Sequence, residues 1–271
     1  MSVTQRLVCL AVNDGTLLTQ FVERHFDTLD VTADADRGVW GIGYHGNGEM
    51  LVKRAPIHPR RPTFATQLGA ARSHQVVLAA EHGTRSRHHE DIQPLRDRDW
   101  LFAMRGSDRL DDAFVERAQA SLRDSAFRYK RGATVEEAVF TVVMHVLQHA
   151  NVRDVREITT KSLREALIEA GETVRALATD TASLADVIVT LHVSGLVYAL
   201  SFAAPVYLAR YSGLGHPRPE RPGRGRVTHP HFRAVVVSDR TIEESAAVEV
   251  EVRRGGCVVE VGLDGAFDVF G

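Results

Sequence analysis

The sequence predicts an α+β protein in which stacked antiparallel sheets are covered by helices. Three observations support this fold class. Strand-like segments dominate the chain before residue 110, helical periodicity dominates residues 111 to 178, and strand-like composition returns after residue 184. Because the helices are grouped instead of alternating singly with strands, a doubly wound parallel sheet is disfavoured.

The first part of the chain is predicted to form a sheet with one helix. "RLVCLAVN" has the length and apolar content of a strand, and "LLTQFVERHF" carries its apolar residues at helical spacing. A glycine turn at residues 45–48 joins two apolar runs and indicates a hairpin. "QVVLAAEHG" and "DWLFAMRG" are predicted as further strands, separated by a polar loop over residues 84–98.

The helices and the closing strands follow. Three helices are predicted at residues 111–122, 134–150 and 160–178, and the second begins with a capping box of Thr134 and Glu137. Residues 184–213 and 232–270 have the Val, Ile and Tyr content of strands. Residues 213–231 are rich in Pro, Gly and Arg, so we expect an exposed, flexible loop there.

Composition excludes several classes of protein. The 271 residues are 44% hydrophobic, with a formal charge of -2 and a pI near 6.7. No global positive field is available to attract nucleic acid or a membrane surface. Two cysteines, Cys9 and Cys257, are too few for a disulfide framework. With no signal peptide and no membrane-spanning segment evident, we expect a soluble cytoplasmic protein without a cofactor.

The order of several segments resembles the class II glutamine amidotransferases. These segments are "WGIGY" before a glycine turn, "VVLAAEHGT", a loop ending in Pro94, "WLFAMRG", and a late "VVVSDRTI". The nearest type is the stand-alone glutaminase branch that includes the ergothioneine-biosynthesis amidohydrolase. The resemblance implies an N-terminal-nucleophile hydrolase fold, a four-layer αββα sandwich of two antiparallel sheets, formed as a single domain over residues 1–271.

The resemblance also locates the nucleophile, which the family supplies as a cysteine directly after the initiating methionine. Here Ser2 stands after Met1, and aligning "LAVN" with the family places the nucleophile position nearest Leu7. Two alternatives remain: Ser2 as an N-terminal hydroxyl nucleophile, or cleavage of the chain before Cys9. Cys9 otherwise fits a buried thiol in an apolar strand.

The remaining family motifs imply a substrate pocket at five positions. His82 stands where the family has a carboxylate-binding Arg, and Asp91 opens the segment matching Asn-x-His-Pro. Arg105 and Gly106 stand where the family has the Asn and Gly of its oxyanion hole, which stabilises the tetrahedral intermediate. Residues 134–137 correspond to the family motif Thr-Asp-Ser-Glu and begin with Thr134. Val135 stands where the family has the Asp that binds the substrate amine.

Four functional groups of the family are changed together: the nucleophile, the carboxylate-binding Arg, the oxyanion-hole Asn and the amine-binding Asp. Their simultaneous loss predicts a pseudoenzyme, a protein that keeps the fold and has lost the reaction. We expect such a protein to act by binding, as a regulatory or scaffolding partner or as a sensor of a small ligand. The expected partner is a protein, which includes a second copy of the chain, or a small anion held by Arg105 and His82. The alternative is an active amidohydrolase that uses Ser2 or a processed Cys9.

Three other clusters have weaker functional interpretations. His88 and His89, in the polar loop, are candidate metal ligands without a known ligand spacing, so a solvated loop is expected and no metal is predicted. His145 and His149 share one helix face but lack the Glu of HExxH, which favours core or interface histidines. The Arg-Gly run at residues 221–226 is expected to be part of the flexible loop.

Overall fold

The structure is a computed structural model in which the described residues form thirteen strands and four main helices. It describes residues 4–25, 29, 38–46, 48–57, 67–68, 71–83, 89–122, 134–152, 159–193, 195–215, 227–242, 248–253, 255–262 and 266–270. The strands are β1 (Thr4–Val12), β2 (Gly38–Gly46), β3 (Glu49–Pro56), β4 (Gln75–His82), β5 (Leu95–Asp97), β6 (Trp100–Arg105), β7 (Ile188–Val193), β8 (Leu196–Ser201), β9 (Val206–Gly215), β10 (Val227–Ser238), β11 (Val248–Arg253), β12 (Cys257–Val261) and β13 (Phe267–Phe270). The helices are α1 (Leu18–Arg24), α2 (Asp112–Ser121), α3 (Val135–His149) and α4 (Thr160–Leu177).

The strands form two antiparallel sheets, as the sequence predicts. Sheet A has the order β11-β9-β10-β1-β4-β2-β3, and sheet B has the order β13-β12-β8-β7-β6-β5. Every paired strand runs antiparallel to its neighbour. Strand β1 lies at the centre of sheet A, between β10 and β4, so its residues are held on both sides.

The side chains of β1 point alternately to the two faces of sheet A and so identify the layers of the fold. Leu7 and Cys9 point into an apolar layer shared with residues of β6, β7 and β8, which lies between the sheets. Val8 and Leu10 point to the opposite face, where they pack with Phe21 of α1. The other face of sheet B packs against α2, α3 and α4. The protein is therefore an α+β sandwich with two sheets inside and helices on both outer faces.

The helices begin at the capping residues that the sequence indicates. Asp111 accepts a hydrogen bond from the Phe114 N–H at 2.8 Å, which caps α2. Thr134 accepts from the Glu137 N–H at 3.2 Å, which is one half of the predicted capping box at the start of α3. Among the described residues, no helix combines the length and the apolar composition that crossing a bilayer requires.

Two glycines of "WGIGY" allow the segment before β5 to lie directly on sheet A. A Cβ atom on Gly41 would sit 2.0 Å from the Gln93 backbone oxygen, and one on Gly43 would sit 2.8 Å from a Leu101 methyl carbon. The Gln93 side chain fixes the segment to sheet B, because its amide donates to the Met104 oxygen and accepts from the Met104 N–H. The motif thus serves close packing of the two sheets.

Two loop predictions need correction at their ends. The predicted flexible loop over residues 213–231 is too long, since β9 continues to Gly215 and β10 begins at Val227. At these ends β9 and β10 pair with each other, which gives their backbone N–H and C=O groups hydrogen-bond partners. Residues 216–226, including the Arg-Gly run, lie outside the described residues. The polar loop over residues 84–98 contains the short strand β5, which pairs with β6 at Leu95 and Phe102.

His192 is a buried polar residue of the layer between the sheets. Its side chain is fully buried on β7 and hydrogen-bonds through Nε2 to Oε1 of Gln75. Burial, with a smaller contribution from the charge of His45, lowers the pKa of His192 to about 3. The folded protein therefore holds this imidazole in its neutral form.

We expect this histidine to make the fold sensitive to acid. Because the pKa of histidine in the unfolded chain is about 6.5, the unfolded state takes up the proton first, and stability falls as the pH drops through 6.5 towards 3. Between about pH 7 and pH 5 the loss from this residue is about 2 kcal/mol. Urea unfolding at both pH values measures it. His192→Gln should reduce the pH dependence, whereas the exposed control His149→Gln should leave it unchanged.

Candidate functional site

The candidate site is built on the turn that follows β6. Gly106 has a φ of +84°, a left-handed conformation, and a Cβ atom there would lie 2.7 Å from the Asp186 oxygen. Only glycine fits this turn without strain. The left-handed residue directs two consecutive N–H groups, those of Gly106 and Ser107, towards one acceptor. Such a pair of backbone donors is suited to bind a carbonyl or carboxylate oxygen.

That acceptor is a side chain of the protein itself. Oε1 of Gln5, on β1, accepts from the Gly106 N–H at 2.7 Å and from the Ser107 N–H at 3.0 Å. Gln5 is 6% exposed, so the contact is shielded from water. The Gln5 carboxamide therefore occupies both backbone donors of this turn.

The nitrogen of the same carboxamide faces a hydroxyl and a carboxylate. Nε2 of Gln5 donates to Ser107 Oγ at 2.5 Å, and the Ser107 hydroxyl donates to Glu136 Oε1 at 2.6 Å. A longer contact of 3.5 Å joins Gln5 Nε2 to the same Glu136 oxygen. Glu136 is 1% exposed and lies in the first turn of α3, where the helix dipole favours a negative charge. Both ends of the carboxamide are thus satisfied by hydrogen bonds.

The structure shows which residue of β1 lies next to the turn after β6. Leu7, to which the family alignment points, packs in the apolar layer between the sheets. The β1 residue that reaches the Gly106 N–H is Gln5, two positions earlier, and its carboxamide is not a nucleophile.

Arg105 lies in an ion-pair cluster with Asp239. Its Nη1 donates to the Asp239 backbone oxygen at 3.1 Å and lies 3.5 Å from Asp239 Oδ2. Asp239 also pairs with the buried Arg6, whose Nε lies 3.2 Å from Oδ1. Burial lowers the pKa of the Arg6 guanidinium, and the charge of Asp239 partly offsets this effect. The two arginines join β1 and β6 to the residue that follows β10.

The other predicted pocket residues are only partly brought together. His82 ends β4 and pairs with Thr4, one position beyond the pair formed by Gln5 and Glu81, so it lies at the same end of sheet A. Thr134 is the cap of α3 and positions the helix turn that carries Glu136. Asp91 lies in a short 3-10 turn that leads to Gln93. The hydrogen bonds of Gln5 within the described residues go to Gly106, Ser107 and Glu136 and do not include Asp91.

Cys9 is a core thiol, as its apolar surroundings in the sequence predict. Its residue is 1% exposed in the layer between the sheets. Burial raises the pKa of the Cys9 thiol to about 12, although a hydrogen bond with the Thr190 side chain opposes part of the rise. A thiol of this kind holds its proton at neutral pH and is a poor nucleophile. Ser2, the other candidate, lies outside the described residues.

The histidine clusters do not form a metal site within the described residues. No group of three or more His, Cys, Asp or Glu side chains suitable for a metal ion occurs there. His89 lies on an exposed turn, and His88 is outside the described residues. His145 and His149 lie edge to face on α3 with ring centroids 4.3 Å apart. This contact fits a helix-surface pair of aromatic rings.

Sequence reasoning missed four of the residues that form the site. Gln5 and Arg6 lie at the start of β1, and polar residues that run directly into the apolar segment Leu7–Val12 were the signal that could have found them. Glu136 directly follows Val135, so the carboxylate expected at that motif is present one residue later. Ser107 gave no signal, since serine after glycine is common in turns.

Comparison with known proteins connects this architecture to one fold. No protein-family model and no curated protein matches the sequence. Solved structures do match. A glutamine aminotransferase class-II domain protein from Silicibacter pomeroyi is 18% identical, with 98% of this chain and 99% of that chain covered and a TM-score of 0.53. A predicted glutamine amidotransferase from Pseudomonas aeruginosa is 14% identical, with 98% and 95% covered and a TM-score of 0.56.

A larger enzyme shares the fold over part of its length. The glutamine phosphoribosylpyrophosphate amidotransferase of B. subtilis is 9% identical, and the match covers 98% of this chain and 48% of that one, with a TM-score of 0.55. Identities this low establish a shared architecture and leave the chemistry open. Together with the two antiparallel sheets and their flanking helices, these matches show that the chain has the class II glutamine amidotransferase fold, an N-terminal-nucleophile hydrolase architecture.

Proposed function

We propose that this protein is a non-catalytic member of the amidotransferase fold, a pseudoenzyme that acts by binding a protein partner. One observation carries the proposal. The Gly106 and Ser107 N–H groups, which stand where the fold would stabilise a tetrahedral intermediate, are both occupied by the Gln5 carboxamide. Free glutamine would have to displace a buried side chain that already makes equivalent hydrogen bonds. Displacement of this kind gains little free energy and removes the preorganisation that catalysis requires.

The electrostatics of the site favour a regulatory or scaffolding role over a sensor of small anions. Arg105, the cation expected to attract an anion, is engaged by the carboxylate and the backbone oxygen of Asp239. The carboxylate of Glu136 faces the same turn from the start of α3 and would repel an anion placed at Gly106. The proposal therefore places recognition on the outer surface of a cytoplasmic protein, with a second copy of the chain as one candidate partner.

Ammonia release from glutamine tests the loss of catalysis. Purified protein is incubated with glutamine and, separately, with an electrophilic glutamine analogue, followed by intact-mass measurement. We expect no ammonia beyond that released by the native protein incubated without glutamine, and no adduct. Steady release that is abolished by Ser2→Ala or Cys9→Ala would overturn the proposal and establish an amidohydrolase. Serine and alanine at position 9 have similar volumes to cysteine, so Cys9→Ser provides a second variant if Cys9→Ala is unstable.

Thiol labelling checks the part of the proposal that concerns Cys9. The two cysteines provide an internal comparison, because Cys9 is buried and Cys257 is partly exposed. With a maleimide at neutral pH, we expect modification of Cys257 first and of Cys9 only after unfolding, at a rate at least about tenfold lower in the native state. Peptide mapping after a time course measures both rates. Equal labelling would show that Cys9 is accessible and would reopen its candidacy as a nucleophile.

A further inference from the structure

The contacts around Gln5 have a chemical consequence beyond occupation of the site. Ser107 Oγ receives the Gln5 Nε2 donor at 2.5 Å and gives its own proton to Glu136 at 2.6 Å. The lone pairs of the hydroxyl oxygen therefore face a carboxamide, while its proton faces a carboxylate that can act as a general base. An activated nucleophile has the same relation to its base.

The carbon of that carboxamide is within reach of the hydroxyl. The amide C–N bond is about 1.3 Å long, so Ser107 Oγ lies at most about 3.8 Å from Gln5 Cδ. Reacting atoms in near-attack arrangements are about 3 to 3.5 Å apart. The hydroxyl oxygen must move out of the amide plane to meet the carbon, which requires rotation about the Ser107 Cα–Cβ bond. The two groups are otherwise in place.

The same turn would stabilise the charge that develops during attack. Gln5 Oε1 already accepts two backbone hydrogen bonds, from Gly106 and from Ser107. When Cδ becomes tetrahedral, negative charge accumulates on this oxygen, and removing one donor of this kind typically slows such a reaction by about 10² to 10³. The protein therefore contains a nucleophile, a base, a carbonyl and an oxyanion site in one buried cluster.

From this geometry we infer that Gln5 and Ser107 form an intramolecular ester cross-link in the folded protein. The Ser107 hydroxyl oxygen bonds to Gln5 Cδ, and its proton passes to Glu136. The Cδ–Nε2 bond of the resulting intermediate then breaks, and Glu136 returns the proton to the departing nitrogen. The products are one ester and one molecule of ammonia, with no oxidant, reductant or other reactant consumed.

Burial and proximity favour this reaction over its competitors. Gln5, Ser107 and Glu136 are each 6% exposed or less, so water has little access to the ester. Fixing the two groups in one cluster replaces an encounter in solution, and effective molarities for such arrangements reach about 10⁵ M or more. Released ammonia is protonated at neutral pH and diffuses away, which drives the exchange of amide for ester forward.

Gln93 provides an internal comparison. Its carboxamide is also buried, and it is also held at both ends, by the Met104 N–H and the Met104 oxygen. No hydroxyl takes part in those two contacts. The inference therefore assigns the modification to Gln5 and leaves the carboxamide of Gln93 intact.

Mass spectrometry of the purified full-length chain, aged at neutral pH, tests the inference. We expect the intact mass to fall by one ammonia and proteolysis to give a branched peptide that joins Gln5 to Ser107. Hydroxylamine should cleave that link and leave a hydroxamate at position 5. Ser107→Ala should abolish the loss, Glu136→Gln should slow it at least about tenfold, and the buried-serine control Ser73→Ala should retain it.

Two results would overturn the inference, and the wild-type chain alone can give either of them. One is an unchanged mass with the Gln5 and Ser107 peptides recovered separately. The other is conversion of Gln5 to glutamate, which would mean that the acyl group passes to water. The inference rests on the placement of Gln5 used in the proposed function, yet the two fail separately. An absent cross-link leaves the lack of glutaminase activity standing, and ammonia release with added glutamine would not produce the branched peptide.

Discussion

Asp239→Asn is expected to lower the free energy of unfolding by about 3 to 5 kcal/mol. Asp239 lies between Arg6 and Arg105, and the Arg6 side chain is only 5% exposed. Asparagine keeps the shape of the side chain but removes the negative charge. Arg6 would then be a buried cation without its counter-charge, and the cost of its desolvation would no longer be offset. Urea unfolding at neutral pH, with the slope of the transition compared between variants, measures the change.

Two further variants separate this effect from a general loss of charge. Glu249→Gln removes a carboxylate from an exposed pair with Arg210 and should cost less than about 1 kcal/mol. Replacing both members of the buried pair, as in Arg6→Met with Asp239→Asn, should recover part of the loss, because the cation left without its partner is then Arg105, which is 29% exposed. If Asp239→Asn and Glu249→Gln had equal effects, the buried pair would not be a major contributor to stability.

Gly41→Ala is the second substitution for which we expect a large effect, a loss of about 3 kcal/mol or more. The added Cβ atom would lie 2.0 Å from the Gln93 backbone oxygen and 2.9 Å from Pro94 Cδ. Neither Gly41 nor Gln93 can move easily. Gly41 is in β2, which is paired with β3 and β4, and the Gln93 side chain is hydrogen-bonded to Met104 of β6. The substitution would therefore force the two sheets apart on the side where β3 and β5 form their edges.

Gly171→Ala is the matched control for this prediction. Gly171 lies in the interior of α4, and a Cβ atom there would have Leu200 Cδ2 as its nearest neighbour, at 3.8 Å. Alanine favours helix by about 1 kcal/mol relative to glycine, so this variant should be as stable as the wild type or more stable. Thermal unfolding of both variants under one condition gives the comparison. A Gly41→Ala protein as stable as Gly171→Ala would contradict the close packing described for this region.

Much of the architecture could be predicted because its signals are local. The helical spacing of apolar residues, the caps at Asp111 and Thr134, and the glycine turn after β2 each specify an element from a few neighbouring residues. The grouping of helices between two blocks of strands then limits the fold to sheets covered by helices. The ends of β9 and β10 were missed because they are fixed by pairing between residues distant in sequence.

The site was less predictable because its contacts join distant parts of the chain. Gln5 meets Ser107 across 102 residues and Glu136 across 131 residues, and no local pattern links them. Gly106 could be identified from the family motif, since its left-handed turn depends on glycine itself. The contact between Arg105 and Asp239 could not be predicted, because Asp239 follows β10 and the two residues are 134 positions apart in the sequence. Prediction succeeded where one residue determines the backbone and failed where several strands contribute side chains.

The central claim is that Gln5 holds the two donors of the turn after β6, and nuclear magnetic resonance can test it directly. Backbone amide signals of Gly106 and Ser107 are followed while glutamine is added to the wild-type protein and to a Gln5→Gly variant. We predict no shift of either signal in the wild type and saturable shifts in the variant, in which both donors are open. Saturable shifts at Gly106 and Ser107 in the wild-type protein would show that these N–H groups bind an external ligand and would contradict the claim.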